Sequence, residues 1–213
     1  MSLKINEIYY SVQGESTHSG CPCIFIRLTY CNLRCSYCDT EYAFYDGKDM
    51  EITDIMSEIK RWDCNLVEVT GGEPLFQDEC IDLLNGLVNS SYEVMLETGG
   101  SLSISDVPKI VVKIVDFKCP SSGMVKKNLW SIVDDLQAHD EVKFVIGNRE
   151  DFDWAKDRIT EYSLDKICTL LFSPTFGEID PQQIVEWILA ENLPVRMQLQ
   201  MHKMIWSPEE KGV

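Results

Sequence analysis

The chain has 213 residues, 45% of them hydrophobic, 25% charged and 10% aromatic. That is a globular composition large enough for one core, but short of a full eightfold barrel of about 250 residues. Nineteen Lys and Arg against 35 Asp and Glu leave a formal charge of -16, a field that repels phosphate backbones and anionic headgroups, so nucleic-acid and membrane partners are disfavoured. No apolar run approaches the roughly 20 residues of a spanning helix. The opening Met1-Ser2-Leu3-Lys4 carries no apolar signal region, and the expected location is cytoplasmic.

Residues 4–11 form an extended segment at the start. Period-two apolar runs then predict strands at 24–30, 66–70, 92–98, 110–118, 141–146, 167–172 and 195–201. Helical patterns lie between them at 52–61, 76–88, 129–138, 150–160 and 181–190. The last opens with Asp180-Pro181, a cap followed by proline at the first helical position. After 92–98 the link is too short for a full helix, with room for one turn at 101–107. Strands alternating with helices mean parallel pairing through crossover connections. The predicted fold is α/β: one domain over 1–213, a partial (β/α) barrel of about six parallel strands with a short N-terminal extension. A doubly wound sheet is the alternative.

In such folds chemistry gathers at the carboxyl ends of the strands. Those ends carry Cys31, then Thr70-Gly71-Gly72-Glu73, Glu97-Thr98-Gly99-Gly100, Asp116-Phe117-Lys118, Ser173-Pro174-Thr175 and His202. Of nine cysteines, Cys31, Cys35 and Cys38 form a CxxxCxxC loop after a predicted strand. Three thiolates on so short a loop can each take one iron of a cubane cluster and leave a fourth iron open. A structural zinc site wants four closed ligands, and a two-cluster ferredoxin has a different spacing. Three core thiols are the bland reading, but Asn32, Arg34 and Ser36 are poor core neighbours. Cys21, Cys23, Cys64, Cys80, Cys119 and Cys168 read as structural thiols.

CxxxCxxC resembles the signature of the radical S-adenosylmethionine superfamily, and Val69-Thr70-Gly71-Gly72-Glu73-Pro74 resembles its second motif. Further stretches narrow the resemblance: Tyr10-Ser11-Val12-Gln13-Gly14-Glu15-Ser16, Phe25-Ile26-Arg27-Leu28, Asp39-Thr40, Lys118-Cys119-Pro120 and Gln198-Leu199-Gln200-Met201-His202-Lys203. Together they are similar to the 7-carboxy-7-deazaguanine synthase family from first strand to last residue. The chain departs from that family at Gly99, where an asparagine is common, and in keeping the minimal spacing of the cysteine loop.

The resemblance implies a radical lyase that converts 6-carboxy-5,6,7,8-tetrahydropterin to 7-carboxy-7-deazaguanine with ring contraction and loss of ammonia, on the way to queuosine and other deazapurines. It implies a [4Fe-4S] cluster on Cys31, Cys35 and Cys38, S-adenosylmethionine on the open iron, and Mg2+ at Thr40. A flavodoxin- or ferredoxin-like electron donor and a homodimer belong to the same expectation. Substrate contacts fall at Val12, Gln13, Gly14, Glu15, Arg27, Thr70, His202 and Val213. Arg27 would hold the substrate carboxylate, the alternative being an internal salt bridge. Cofactor contacts fall at Gly71, Gly72, Glu73, Asp116, Phe117, Lys118, Ser173, Pro174, Thr175 and Phe176. Competing readings are an enzyme that activates a glycyl-radical partner, which shares the cysteine loop, and a non-enzymatic metal-binding module.

Overall fold

A computed structural model describes residues 1–213. Its strands are β1 (Ser2–Val12), β2 (Pro22–Leu28), β3 (Lys48–Glu51), β4 (Leu66–Gly71), β5 (Glu93–Thr98), β6 (Val112–Asp116), β7 (Glu141–Ile146), β8 (Thr169–Pro174) and β9 (Arg196–Met197). They form one open sheet in the order β3-β1-β2-β4-β5-β6-β7-β8-β9. From β2 to β9 every pairing is parallel, while β1 runs antiparallel to both β2 and β3. The helices are α1 (Ile52–Ile59), α2 (Cys80–Asn89), α3 (Arg149–Tyr162), α4 (Pro181–Glu191) and the short α5 (His202–Ile205). The partial barrel expected from the alternation is therefore present.

Successive side chains of a strand point to opposite faces, and here the two faces differ in chemistry. Ile24, Ile26 and Leu28 of β2, Val67 and Val69 of β4, and Val142 and Phe144 of β7 join the large core against the helices. The other face holds a small plug of Cys23, Phe25, Leu66, Met95 and Ile114. Above the plug, toward the carboxyl ends, the same alternation sends Arg27, Glu68, Thr70, Glu97, Asp116 and Lys143 inward. The sheet buries oil on one side and charge on the other.

Helix ends follow local chemistry. Asn148 accepts from the Asp151 amide to start α3, and Asp180 accepts from Gln182 at 2.9 Å to start α4, with Pro181 first in the helix. Residues 129–138 depart from the expected α-helix: only Trp130–Asp135 is helical, as 3-10 turns. Trp130 is stacked between Phe117, at 4.5 Å, and Tyr162, at 4.4 Å, and Asp140 accepts from the Gln137 amide at 2.7 Å. Both ends are thereby pinned, and a longer helix would pull one of them away. Residues 195–201 also depart, because only Arg196–Met197 pairs with β8. Beyond it the chain leaves the sheet to bond the loop after β1, through Met201 N to Gly14 O at 2.9 Å. The link from β5 to β6 contains no helix, as expected, and β3 was not anticipated.

Lys113 lies on the helix-facing side of β6, with its ammonium 2.9 Å from Asp140 Oδ2; the side chains are 2% and 0% exposed. The second Asp140 oxygen accepts from the Lys113 amide at 2.9 Å. Removing one partner of such a buried pair strands the other charge and costs about 3–5 kcal/mol. Asp140→Ala is therefore expected to lower the melting temperature by roughly 10 °C in a thermal scan, whereas Asp165→Ala, which removes the partner of the exposed Lys166, shifts it by no more than about 2 °C.

Candidate active site

A cavity of about 730 Å³ lies over the inner face at the carboxyl ends of the strands. Its floor includes Phe25 and Ile114, its wall is the inward ring of charges, and its rim takes in Val12–Glu15 region residues, the cysteine loop and the segment from Gln200 to Val213. Nearly every residue expected at a site lines it: Val12, Gln13, Gly14, Glu15, Arg27, Cys31, Cys35, Cys38, Thr40, Thr70, Gly71, Gly72, Asp116, Lys118, Ser173, Pro174, Thr175, Phe176, His202 and Val213.

Glu73 and Phe117 do not. Glu73 is fully buried, accepting from Gly99 N at 2.7 Å, Leu75 N at 3.1 Å and Thr98 Oγ1 at 2.9 Å. It ties the Gly71-Gly72 turn to the turn after β5. Phe117 is core, stacked on Trp130. The two glycines also serve packing: a Cβ on Gly72 would meet Tyr30 O at 2.3 Å and Cys31 Cβ at 2.7 Å. Their bare backbone thus lets β4 close against the start of the cysteine loop.

The three loop cysteines are half-buried free thiols. Burial pushes each thiol up, and the Lys118 ammonium acts against it in all three. Each also feels the charge of another member of the trio, so they share one neighbourhood. No group of three or more His, Cys, Asp or Glu side chains is gathered as around a single ion. The outer rim is braced by Ser36, whose hydroxyl donates to Ser121 O at 2.8 Å.

Several expected ligand contacts are already engaged within the chain. Arg27 Nε donates to Glu7 Oε1 at 2.8 Å and Nη2 to Tyr9 OH at 2.9 Å, so the internal salt bridge exists; Nη1 has no partner among these bonds. Burial pushes the Tyr9 phenol up to about 12, against the lowering effect of Arg27. Gln13 donates to Glu68 Oε2 and accepts from the Glu15 amide. Glu15 accepts from Lys143 at 2.7 Å and from Gln200 at 2.9 Å. The Thr40 hydroxyl donates to the Asp39 carboxylate at 2.9 Å and caps no backbone amide. Asp39 in turn meets Lys203 at 2.6 Å. Burial opposes ionisation of Asp39, but Lys203 and hydrogen bonds from Gln200 and Thr40 hold its carboxyl well below the usual range. His202 packs over Gly14, where a Cβ would stand 2.3 Å from its Nδ1, and burial lowers its pKa.

Sequence reasoning missed Glu7, Glu68 and Lys143, and gave Glu97 no role. The available signal was a charge at an inward position of an otherwise apolar strand, as in Leu66-Val67-Glu68-Val69 and Glu141-Val142-Lys143-Phe144. Three polar atoms of the cavity wall are buried without any partner: Tyr37 OH, Asp116 Oδ1 and Thr175 Oγ1. Such orphans are costly in an interior and mark places where a ligand completes the bonding.

The model of the Radical SAM superfamily matches residues 25–119, the stretch holding the cysteine loop and the Gly-Gly turn. A 7-carboxy-7-deazaguanine synthase of Koribacter versatilis is 44% identical, the match covering 99% of this chain and 100% of that one. The synthase of Chlorobaculum tepidum is 43% identical over 99% of this chain and 97% of its own. Among solved structures, QueE from Escherichia coli shares the fold with a TM-score of 0.79 at 22% identity, covering 95% of both chains. These relatives match from end to end and bear the synthase name, not that of an activator of glycyl-radical proteins. With the cysteine loop, the Gly-Gly turn and the charged cavity in one place, the chain belongs to the 7-carboxy-7-deazaguanine synthase family.

Proposed function

We propose that this chain converts 6-carboxy-5,6,7,8-tetrahydropterin to 7-carboxy-7-deazaguanine with loss of ammonia. The observation that carries the reading is the convergence of three free thiols, a Gly-Gly turn and a ring of buried charge on one cavity of about 730 Å³. The donor set fits an iron–sulfur cluster: three free thiols on one loop, the three cysteines that line the cavity. The orphaned Asp116 Oδ1 and Thr175 Oγ1, at the ends of β6 and β8, would suit the polar groups of a cofactor. Cys31, Cys35 and Cys38 would hold the cluster, with Gly71, Gly72, Asp116, Lys118, Ser173 and Thr175 toward S-adenosylmethionine. When bound, the pair supplies a 5′-deoxyadenosyl radical that takes a hydrogen atom from the substrate.

The chain's own residues bind and orient. The free Nη1 of Arg27 is positioned to add a carboxylate to a guanidinium already fixed by Glu7 and Tyr9, so little side-chain entropy remains to be lost on binding. Gln13, locked between Glu68 and the Glu15 amide, holds the loop after β1 at the cavity mouth. His202, with a lowered pKa, presents a neutral ring there at pH 7. The Asp39–Lys203 pair draws the C-terminal segment across the opening, which limits water around the reacting atoms. Mg2+ prefers hard oxygen ligands and retained waters; the Thr40 hydroxyl, beside Asp39, would offer it one such oxygen. An external one-electron donor of flavodoxin or ferredoxin type and a homodimeric state complete the reading. No helix of the chain is long and apolar enough to cross a membrane.

An anaerobic reconstitution with iron, sulfide, reductant, S-adenosylmethionine, Mg2+ and the carboxypterin tests the reaction by mass spectrometry. A species at the mass of 7-carboxy-7-deazaguanine, absent without the pterin, is expected; 5′-deoxyadenosine without pterin consumption overturns the substrate. Cys35→Ala should abolish the visible iron–sulfur absorption and all 5′-deoxyadenosine. Arg27→Lys, which cannot reproduce the three-way fork, should raise KM for the carboxypterin about tenfold or more with kcat less affected. Unchanged activity at limiting substrate would remove Arg27 from the carboxylate role.

A further inference from the structure

Lys143 has no part in the reading above, yet it is the charge on which the cavity wall balances. It stands on β7 beside Asp116 of β6, pointing inward between Val142 and Phe144, which pack into the opposite core. Its ammonium lies 2.7 Å from Glu15 Oε2 and 3.8 Å from Asp116 Oδ2, and it donates to Glu97 Oε1. Three elements far apart in sequence therefore meet on one nitrogen.

Pairing the remaining charges shows why this matters. Arg27 is engaged by Glu7, and Lys118 by Asp116 at 2.8 Å. Glu15 and Glu97 then have only Lys143 in direct ion-pair contact, with Lys118 and Arg27 acting on Glu97 from farther off, and Glu68 bonds only the Gln13 amide. Burial alone would raise Glu97, but the Lys143 ammonium holds it below the ordinary carboxylate value. Glu68, desolvated and facing the charges of Glu97 and Glu15, is pushed well up. The Glu97 side chain is 29% exposed and lines the cavity. Besides Lys143 it accepts only from Thr70 Oγ1, at 3.3 Å, so about half of a carboxylate's lone-pair sites are open.

We propose that Lys143 is a positioning residue for substrate: it pins the loop after β1 through Glu15 and aims the open lone pairs of Glu97 at N–H groups of the bound heterocycle. The assignment rests on the reading that a pterin occupies this cavity. A donor-rich pyrimidine edge suits a wall with more carboxylates than cations, and a ligand lacking those N–H groups leaves Glu97 unsatisfied.

The test uses cluster-loaded protein with S-adenosylmethionine and oxidised 6-carboxypterin, a fluorescent ligand that does not turn over. Binding of each ligand and the melting temperature are measured for wild type, Lys143→Arg, Lys143→Met, Glu97→Gln and the Lys143→Met/Glu97→Gln double variant. Lys143→Arg should stay within about threefold of wild type for the pterin, since a cation remains. Lys143→Met and Glu97→Gln should each weaken the pterin about tenfold or more while S-adenosylmethionine affinity is kept. The double variant should lose less than the product of the two, because one interaction is removed twice. Unchanged pterin binding in Lys143→Met or Glu97→Gln overturns the proposal. So does equal loss for both ligands with a fallen melting temperature, which marks a structural pillar. Wild-type protein that binds the pterin but yields no deazaguanine sinks the proposed reaction and leaves Lys143 in place.

Discussion

Charges buried on the inner face of a sheet must satisfy one another, and most of this molecule's site follows from that requirement. Parallel strands give each inward side chain two lateral neighbours, one on either adjoining strand. Charges of both signs placed at the same height can then pair across strands without leaving the wall. Lys143 near Asp116 is such a lateral pair; Arg27 meets Glu7 in the same way across the antiparallel β1–β2 edge, and Lys143 reaches over β6 to Glu97. Fixed in advance, the wall offers oriented dipoles at no cost of rearrangement when a ligand arrives. An apolar inner face would be more stable but could hold no polar heterocycle; the plug beneath the ring shows where that alternative begins.

The turns above the wall are held by backbone contact more than by side-chain reach. Gly72 sits against Tyr30 O and Cys31 Cβ, and Glu73 gathers the amides of Leu75 and Gly99. Cys31 therefore starts its loop from a surface that cannot shift without moving β4 and β5. Serine contacts fix the far side, where Ser36 N donates to Ser122 O at 3.1 Å. A three-thiol loop has few ways to be rigid by itself; here the neighbouring turns confer the rigidity.

Much of this was legible in the sequence, and the reasons for the exceptions are physical. Period-two runs located every parallel strand, because one face of each is packed by helices and the pattern survives. The cysteine spacing and the Gly-Gly turn located the cavity, since both are local. What failed was non-local. Trp130 belongs to 3-10 turns because Phe117 and Tyr162 clamp it, and neither is near in sequence. Glu73, expected among the cofactor contacts, braces its own loop through Leu75 and the end of β5 through Thr98 and Gly99. The internal salt bridge of Arg27 was foreseen as an alternative, but Glu7, twenty residues earlier, could not be chosen among 35 acids by pattern. Lys143 was invisible for the same reason, its partners lying up to 128 positions away.

The segment after β9 bonds back to the beginning of the chain: Gln198 and Gln200 reach Glu15, and Lys203 reaches Asp39 beside the cysteine loop. A chain emerging from the ribosome folds its early units first, so the cysteine loop and its neighbouring turns can assemble while the closing segment is still being made. The rim of the cavity is completed by a segment made after the strands beneath it. The cysteine loop is thus more open to metal and sulfide in the growing chain than in the folded one, where the C-terminal segment narrows the approach.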